Sequence, residues 1–277
     1  MTAINWTSLP EDRQDMRLVV CDMDGTLLDE SGRVPDSFWP LLERMRAEGV
    51  VFVPASGRQR ATLERLFPGE LSASCIAENG NLVVHGGETV STTTVPEAAA
   101  REVIGAVRAN AAEFDLGLVL CGARQAYVER SDRAFLDEVE KYYAKYSVVD
   151  DLDAVSDDLL KLAVFDFHGA ERAAREIFDA FGEEQQVVVS GEHWIDIMRN
   201  GVDKGRGVEA LQRALGVAPA QTAAFGDYLN DREMLAKAGW SFAMANAHPV
   251  IREEARYLAP SNAEDGVGRV LRRLLAY

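Results

Sequence analysis

Short apolar runs that alternate with helix-period patterns are the feature that most restricts the fold of this chain. The runs span about four to six residues; they fill roughly the first 80 residues and resume after about residue 190. Apolar runs of this length between helices are typical of buried strands in a parallel sheet. The sequence therefore predicts an α/β core that is discontinuous along the chain.

This core pattern separates into individual elements. Phe38, Leu41, Leu42 and Met45 recur at i, i+3, i+4 and i+7, which marks one face of a helix that Gly49 ends. The predicted core strands span 17–21, 50–53, 74–77, 195–198, 222–225 and 240–244. Further core helices are predicted over 59–67, from 205 onward and over 231–238.

The middle of the chain has a different texture. Hairpin signals such as Gly86-Gly87 and Gly122-Ala123 separate alternating, strand-like segments. Helices are predicted around 103–114, 134–143 and 173–181, and strands over 116–121, 126–129, 160–165 and 186–190. We therefore predict an α+β domain at 85–189, inserted into a core domain of 1–84 and 190–277.

Composition excludes several classes of partner. The formal net charge of −16 opposes binding to nucleic acid and to anionic lipid surfaces. No window approaches the roughly 18 apolar residues of a membrane span, and residues 1–14 lack an apolar run of signal-peptide length. The cysteines at 21, 75 and 121 lack disulfide or metal-ligand spacing. We expect a soluble, cytoplasmic protein with reduced cysteines, and no feature indicates its oligomeric state.

The first chemical motif is an apolar strand that runs into Asp22-Met23-Asp24-Gly25-Thr26. Residues i and i+2 of an extended backbone point the same way, so Asp22 and Asp24 can face one pocket. Two carboxylates this close repel each other, which a divalent cation relieves. Taken alone, the motif is also compatible with a polar turn.

The polar residues of three further motifs also each lie just beyond a predicted strand. Ser56-Gly57 offers a hydroxyl and an unshielded amide to an anion, although the pair is often only a turn. Asp203 can cap a helix whose first turn holds Lys204, a cation that opposes the helix dipole unless an anion is bound; alternatively Lys204 is a surface lysine. The fourth motif runs from Ala224 to Asp231 and contains Asp227 and Asn230. Ligands of open α/β sheets gather at such strand ends.

Together these motifs resemble the haloacid dehalogenase superfamily, and within it the Cof-like hydrolases with a type IIB α/β cap. Ala77-Glu78-Asn79-Gly80 also resembles the family's ENG turn, and the late segments 244–247 and 261–266 resemble the family as well. The resemblance covers nearly the whole chain after Met16. It implies a Rossmann-like core with a parallel sheet and a cap that selects the substrate.

The resemblance also implies roles for individual residues. Asp22 would be the nucleophile and Asp24 the general acid and base. Mg²⁺ would rest on Asp22, the main-chain carbonyl of Asp24, and Asp227. The residues implied to bind the phosphoryl group or substrate are Met23, Ser56, Gly57, Lys204 and Asn230, with Asp231 and Thr26 as supporting residues. Ser56 stands where many relatives have threonine, and Ala245 where they usually have glycine.

These implications predict a Mg²⁺-dependent phosphatase that hydrolyses a small phosphorylated metabolite, such as a sugar phosphate, through an aspartyl phosphate. A phosphotransferase or mutase with the same intermediate remains an alternative, as does a non-catalytic sugar-phosphate sensor. Histidines 85, 168, 193 and 248 show no ligand spacing and are predicted to be structural or surface residues. Arg58, Arg130 and Lys161 are possible substrate contacts, although surface charges are the commoner case.

Overall fold

The computed structural model describes residues 3–67, 69, 73–111 and 113–277 of the chain. The chain divides into two units. Unit 1 comprises Met1–Gly57, Leu63–Ser91 and Asp203–Tyr277, and unit 2 comprises Arg58–Thr62 and Thr92–Val202.

Unit 1 is built on a nine-stranded sheet within the described residues, in the order β1-β15-β14-β13-β2-β3-β4-β5-β6. Its strands are β1 (Ile4–Asn5), β2 (Leu18–Asp22), β3 (Val51–Ala55), β4 (Cys75–Ala77), β5 (Leu82–His85), β6 (Glu88–Thr92), β13 (Thr222–Gly226), β14 (Trp240–Met244) and β15 (Tyr257–Ala259). Its helices are α1 (Phe38–Ala47), α2 (Arg60–Leu66, inside which the two units divide), α6 (Lys204–Leu215), α7 (Arg232–Ala236), α8 (Pro249–Glu254) and α9 (Gly266–Leu274).

The centre of this sheet brings the motif-bearing strands side by side. Every residue of β2 is buried, and β2 pairs in parallel with β13 on one side and β3 on the other. Asp22 lies opposite Ala55, and Cys21 lies opposite Phe225. Because parallel strands share one carboxyl edge, the residues that follow β2, β3 and β13 emerge together.

Unit 2 contains a six-stranded sheet in the order β11-β12-β10-β7-β8-β9, again within the described residues. Its strands are β7 (Leu116–Gly122), β8 (Ala126–Val128), β9 (Tyr146–Val148), β10 (Leu159–Asp166), β11 (Gln185–Val189) and β12 (Trp194–Arg199). Its helices are α3 (Glu97–Asn110), α4 (Arg133–Tyr142) and α5 (Ala170–Ala173), and irregular helical turns continue α5 to Glu183.

Strand β10, near the centre of the unit 2 sheet, is buried on both of its faces. Leu162 and Val164 pack into the apolar cluster that includes α3, while Ala163 and Phe165 pack into the cluster that includes α4. This alternation follows from the two-residue period of an extended chain. The structure therefore has the predicted fold class, an α/β unit with a parallel sheet interrupted by an α+β unit.

The predicted boundaries at 84/85 and 189/190 are displaced in the structure. The strand predicted for the core at 195–198 is β12, which pairs antiparallel with β10 and β11 in unit 2. Five of the six residues of β12 are buried, so the hydrophobicity of this segment is compatible with a central strand in either sheet. The Gly86-Gly87 hairpin joins β5 to β6 and extends the sheet of unit 1, so it does not open the inserted unit.

Two expectations about composition can be compared with the structure. Cys21, Cys75 and Cys121 are all buried. Among the helices of the described residues, none is long and apolar enough to cross a membrane.

Candidate active site

Asp22 is the last residue of the buried strand β2 and lies at the carboxyl edge of the parallel strands. Its side chain is nearly buried, with 7% of the residue exposed, and the side chain of Met23 is fully buried. The backbone of Met23 is buried as well, since the residue as a whole is 0% exposed. Asp24 is exposed, and Gly25 then takes φ 78°, where a Cβ atom would overlap the Asp227 carboxylate. Glycine allows the chain to turn this close to the acid.

Lys204 joins two carboxylates from distant parts of the sequence. Its Nζ lies 2.5 Å from Oδ1 of Asp22 and 2.6 Å from Oδ1 of Asp231, and its side chain is fully buried. Burial alone would lower the pKa of Lys204, but the two carboxylates outweigh burial and raise this pKa above its usual value. Lys204 is therefore a buried cation in the described structure, and the surface alternative is wrong.

Asp231 uses both of its oxygens within the protein. Oδ1 accepts from Lys204, and Oδ2 accepts from the backbone N–H groups of Asp227 (2.9 Å) and Tyr228 (3.1 Å). The side chain is fully buried. Asp231 thus fixes both the lysine and the loop that follows β13.

Crowding of carboxylates perturbs the acids of this site. Burial and the Asp231 charge raise the pKa of Asp22 to about 8, although Lys204 lowers it. Burial and Asp231 also raise the pKa of Asp227 to about 6, while a 3.0 Å hydrogen bond from the Thr26 hydroxyl opposes the shift. The charged forms of these two acids therefore lack full compensation from Lys204 alone.

This donor set fits a hard divalent cation. Asp22, Asp227 and Asp231 each place one carboxylate oxygen within 4.8 Å of the other two. Because both oxygens of Asp231 have protein donors, Asp22 and Asp227 are the better placed of the three to bind a metal. Carboxylate and carbonyl oxygens are the ligands that Mg²⁺ prefers.

The other predicted residues occupy the neighbouring loops of unit 1. Ser56 is buried directly after β3, and Gly57 follows it, half-buried. Asn230 is exposed, and its Nδ2 donates to Oδ1 of Asn79 over 3.3 Å. The Ser56 carbonyl accepts from the backbone N–H of Asn79 over 3.0 Å.

Two asparagines with contacts near this site lie in the late segments 244–247 and 261–266, to which sequence analysis assigned no role. Nδ2 of Asn246 donates to the Gly25 carbonyl over 2.8 Å, and its Oδ1 accepts from the backbone N–H of Asn262. Nδ2 of Asn262 in turn donates to the Leu28 carbonyl over 2.9 Å. These side chains hold the loop that follows Asp24. Their positions just beyond β14 and β15, at the ligand edge of the sheet, are the sequence signal that could have identified them.

The three possible substrate contacts lie in unit 2. Arg130 forms ion pairs with Asp115 and Asp132. Lys161, a surface charge in the commoner interpretation, is instead buried, with Nζ 3.3 Å from the Asp196 carboxylate. Arg58 is half-buried.

Comparison with known proteins gives this geometry a family context. The sequence pattern of a family described as haloacid dehalogenase-like hydrolase matches residues 19–271. The chain belongs to this haloacid dehalogenase-like hydrolase family. The match spans both units and every predicted site residue.

Relatives of this hydrolase are named phosphatases. The 5-amino-6-(5-phospho-D-ribitylamino)uracil phosphatase YbjI of Escherichia coli is 32% identical over 95% of this chain and 97% of its own length. An HMP-PP phosphatase of Shigella boydii is 28% identical over 87% of this chain and 93% of its own length. The crystal structure of TM0651 from Thermotoga maritima has the same fold, with a TM-score of 0.82 at 24% identity over 93% of this chain and 97% of that one. The chain is accordingly a phosphatase of the haloacid dehalogenase-like family.

In this hydrolase, Lys204→Met is expected to lower the free energy of unfolding by about 3–5 kcal/mol, because it leaves two buried carboxylates without their shared cation. Urea unfolding at neutral pH measures the loss. Lys237→Met is the matched control: the side chain of Lys237 is partly exposed and pairs with Glu209 at 2.6 Å, so we expect a much smaller loss. Equal losses of unfolding free energy in the two variants would contradict a special stabilising role for the buried ion pairs of Lys204.

Proposed function

We propose that this phosphatase hydrolyses small phosphomonoesters in a Mg²⁺-dependent reaction, through a phosphate ester formed on Asp22. One observation carries the proposal. Asp22, nearly buried at the end of a strand, is held by the fully buried Lys204, and a carboxylate oxygen of Asp22 lies within 4.8 Å of one of Asp227, a second possible metal ligand. Phosphoryl transfer requires in-line positioning and neutralisation of charge, and a carboxylate fixed beside a buried cation supports a proposal of this chemistry.

The reaction divides into two displacements at phosphorus. In the first, a carboxylate oxygen of Asp22 attacks phosphorus, the bond from phosphorus to the leaving oxygen breaks, and Asp24 gives that oxygen a proton. In the second, Asp24 takes a proton from water, the water oxygen attacks phosphorus, and inorganic phosphate leaves Asp22. The exposure of Asp24 is compatible with exchanging protons with substrate and water.

The phosphoryl oxygens would be held by donors from the surrounding loops. These donors are the Lys204 ammonium, the Ser56 hydroxyl, the Asn230 amide and the backbone N–H groups of Met23 and Gly57. Asp231 supports this set by holding Lys204, and Thr26 supports it by donating to Asp227.

Mg²⁺ would rest on Asp22, Asp227 and the main-chain carbonyl of Asp24. When bound, it would neutralise charge on the phosphoryl oxygens. The pKa values of Asp22 and Asp227 are raised, which is the electrostatic signature of acids that a cation would relieve.

Substrate choice is a separate part of the proposal. The two named relatives act on different small phosphorylated compounds, which supports the same class here without selecting one member. We assign selection of the leaving group to unit 2.

A phosphate-release screen over sugar phosphates, nucleotides and cofactor phosphates, with Mg²⁺ and alcohol acceptors, tests the function. Transfer to an acceptor in place of release would show a phosphotransferase, and no turnover of any substrate would favour a sensor.

Mg²⁺ affinity is expected to rise between pH 6 and pH 8. The pKa values of about 8 for Asp22 and about 6 for Asp227 mean that protons compete with the cation in this range. The affinity should change by up to about tenfold per pH unit for each proton displaced. Calorimetric Mg²⁺ titrations at pH 6, 7 and 8 measure it, and EDTA should abolish turnover. Affinity that is independent of pH would argue against these two acids as ligands.

A further inference from the structure

The turn that joins β4 to β5 carries an unusual backbone. Glu78, Asn79 and Gly80 have φ angles of 49°, 55° and 102°, three consecutive residues in the left-handed region. A non-glycine residue there is strained, asparagine less than most, and persists only where surrounding contacts enforce it. The turn lies at the carboxyl end of β4, on the same edge of the sheet as Asp22.

This turn contacts three of the loops that carry the proposed phosphoryl ligands. The backbone N–H of Asn79 donates to the Ser56 carbonyl. A Cβ atom added to Gly57 would lie 3.0 Å from Nδ2 and 3.1 Å from Oδ1 of Asn79, so the Asn79 amide packs directly on that glycine. A Cβ atom on Gly80 would overlap the carbonyl of Asp203, the residue before Lys204.

The side chain of Asn79 also forms a hydrogen bond with the side chain of Asn230. Nδ2 of Asn230 donates to Oδ1 of Asn79 over 3.3 Å, so the amide nitrogen, and not the amide oxygen, lies at this contact. The same nitrogen carries a second N–H group, which can donate a hydrogen bond to an anionic oxygen. The opposite orientation would present an acceptor from the same place, and an acceptor repels phosphate.

We infer that Asn79 is a positioning residue for the phosphoryl pocket, which orients the Asn230 amide as a donor. This inference rests on the proposed function. A turn alone would not require the Asn79 side chain, because glycine adopts φ 55° without a steric penalty.

The decisive variant is Asn79→Gly, which removes the side chain while keeping the backbone conformation accessible. The readout is the inhibition constant of inorganic phosphate, a product, against p-nitrophenyl phosphate hydrolysis in Mg²⁺. We expect it to rise about three- to tenfold, as for loss of one hydrogen bond. A residue that only formed the turn would leave the constant unchanged. Asp265→Gly replaces another residue with φ 56° and is expected to leave the constant unchanged.

A double-mutant cycle with Asn230→Ala separates positioning from direct contact. If Asn79 acts through Asn230, the double variant should bind phosphate no more weakly than Asn230→Ala alone. Weaker binding in Asn230→Ala, together with an additive or absent effect of Asn79→Gly, would overturn the inference and leave the proposed function standing. An unchanged constant in Asn230→Ala would instead remove Asn230 from the proposed site, and the inference with it.

Discussion

Asp22→Asn is expected to lower phosphomonoester turnover by about 10⁴-fold or more, because the amide oxygen that replaces the carboxylate is a poor nucleophile. The substitution is nearly isosteric, and Lys204 keeps its 2.6 Å contact with Asp231. The loss should therefore reflect chemistry more than folding. Steady-state release of p-nitrophenolate measures it, and intact-protein mass spectrometry after acid quenching should detect no phosphorylated protein.

A matched control for this variant is Asp29→Asn. Asp29 accepts hydrogen bonds from Ser31 and Arg33 in a surface turn shortly after Asp22 in the chain. The same change of charge there should leave turnover within about twofold, since surface substitutions away from a site have small effects. Wild-type activity in Asp22→Asn would mean that the phosphoryl group is never attached to this residue.

The convergence of the motifs could be predicted from sequence because it depends on strand order near the sheet centre. Asp22 and Lys204 are 182 positions apart, yet each begins or ends an element at the same edge of the sheet. The unbroken apolar run of β2 and the Asp203 cap of α6 are both local signals. Local patterns therefore identified the residues, and parallel topology brought them together.

Two features could not be read from local patterns. β12 is buried in the six-stranded sheet almost as thoroughly as β2 is in the nine-stranded sheet, so hydrophobicity alone does not say to which sheet it belongs. The role inferred for Asn79 depends on its contact with Asn230, which comes from another loop. Asn-Gly by itself predicts only a turn.

The burial of Lys204 shows how the interpretation of one residue changes with its partners. A lysine in the first turn of a helix opposes the helix dipole, and the sequence suggested an anionic ligand as compensation. The structure supplies that compensation internally through Asp22 and Asp231. A bound phosphoryl group would then share a cation that is already fixed in place, so little reorganisation would be needed on binding.

Asp24→Asn is expected to separate the two chemical steps. With p-nitrophenyl phosphate the leaving group needs no proton, so attack by Asp22 should still release nitrophenolate once. The second step should stall, because the amide that replaces the Asp24 carboxylate cannot take a proton from the attacking water. We therefore expect a burst of about one nitrophenolate per enzyme and then turnover reduced by about 10²–10⁴-fold, the usual value of general acid-base catalysis.

Rapid-quench kinetics measure the burst, and mass spectrometry of the quenched sample should show a phosphate attached to the protein. Asp22→Asn is the matched control, since it makes the same change of charge in the same motif and should give no burst. Alkyl phosphates should lose more activity than p-nitrophenyl phosphate in Asp24→Asn, because their leaving oxygen requires the proton. Equal losses on both substrates, without a burst, would assign the proton transfers to a group other than Asp24.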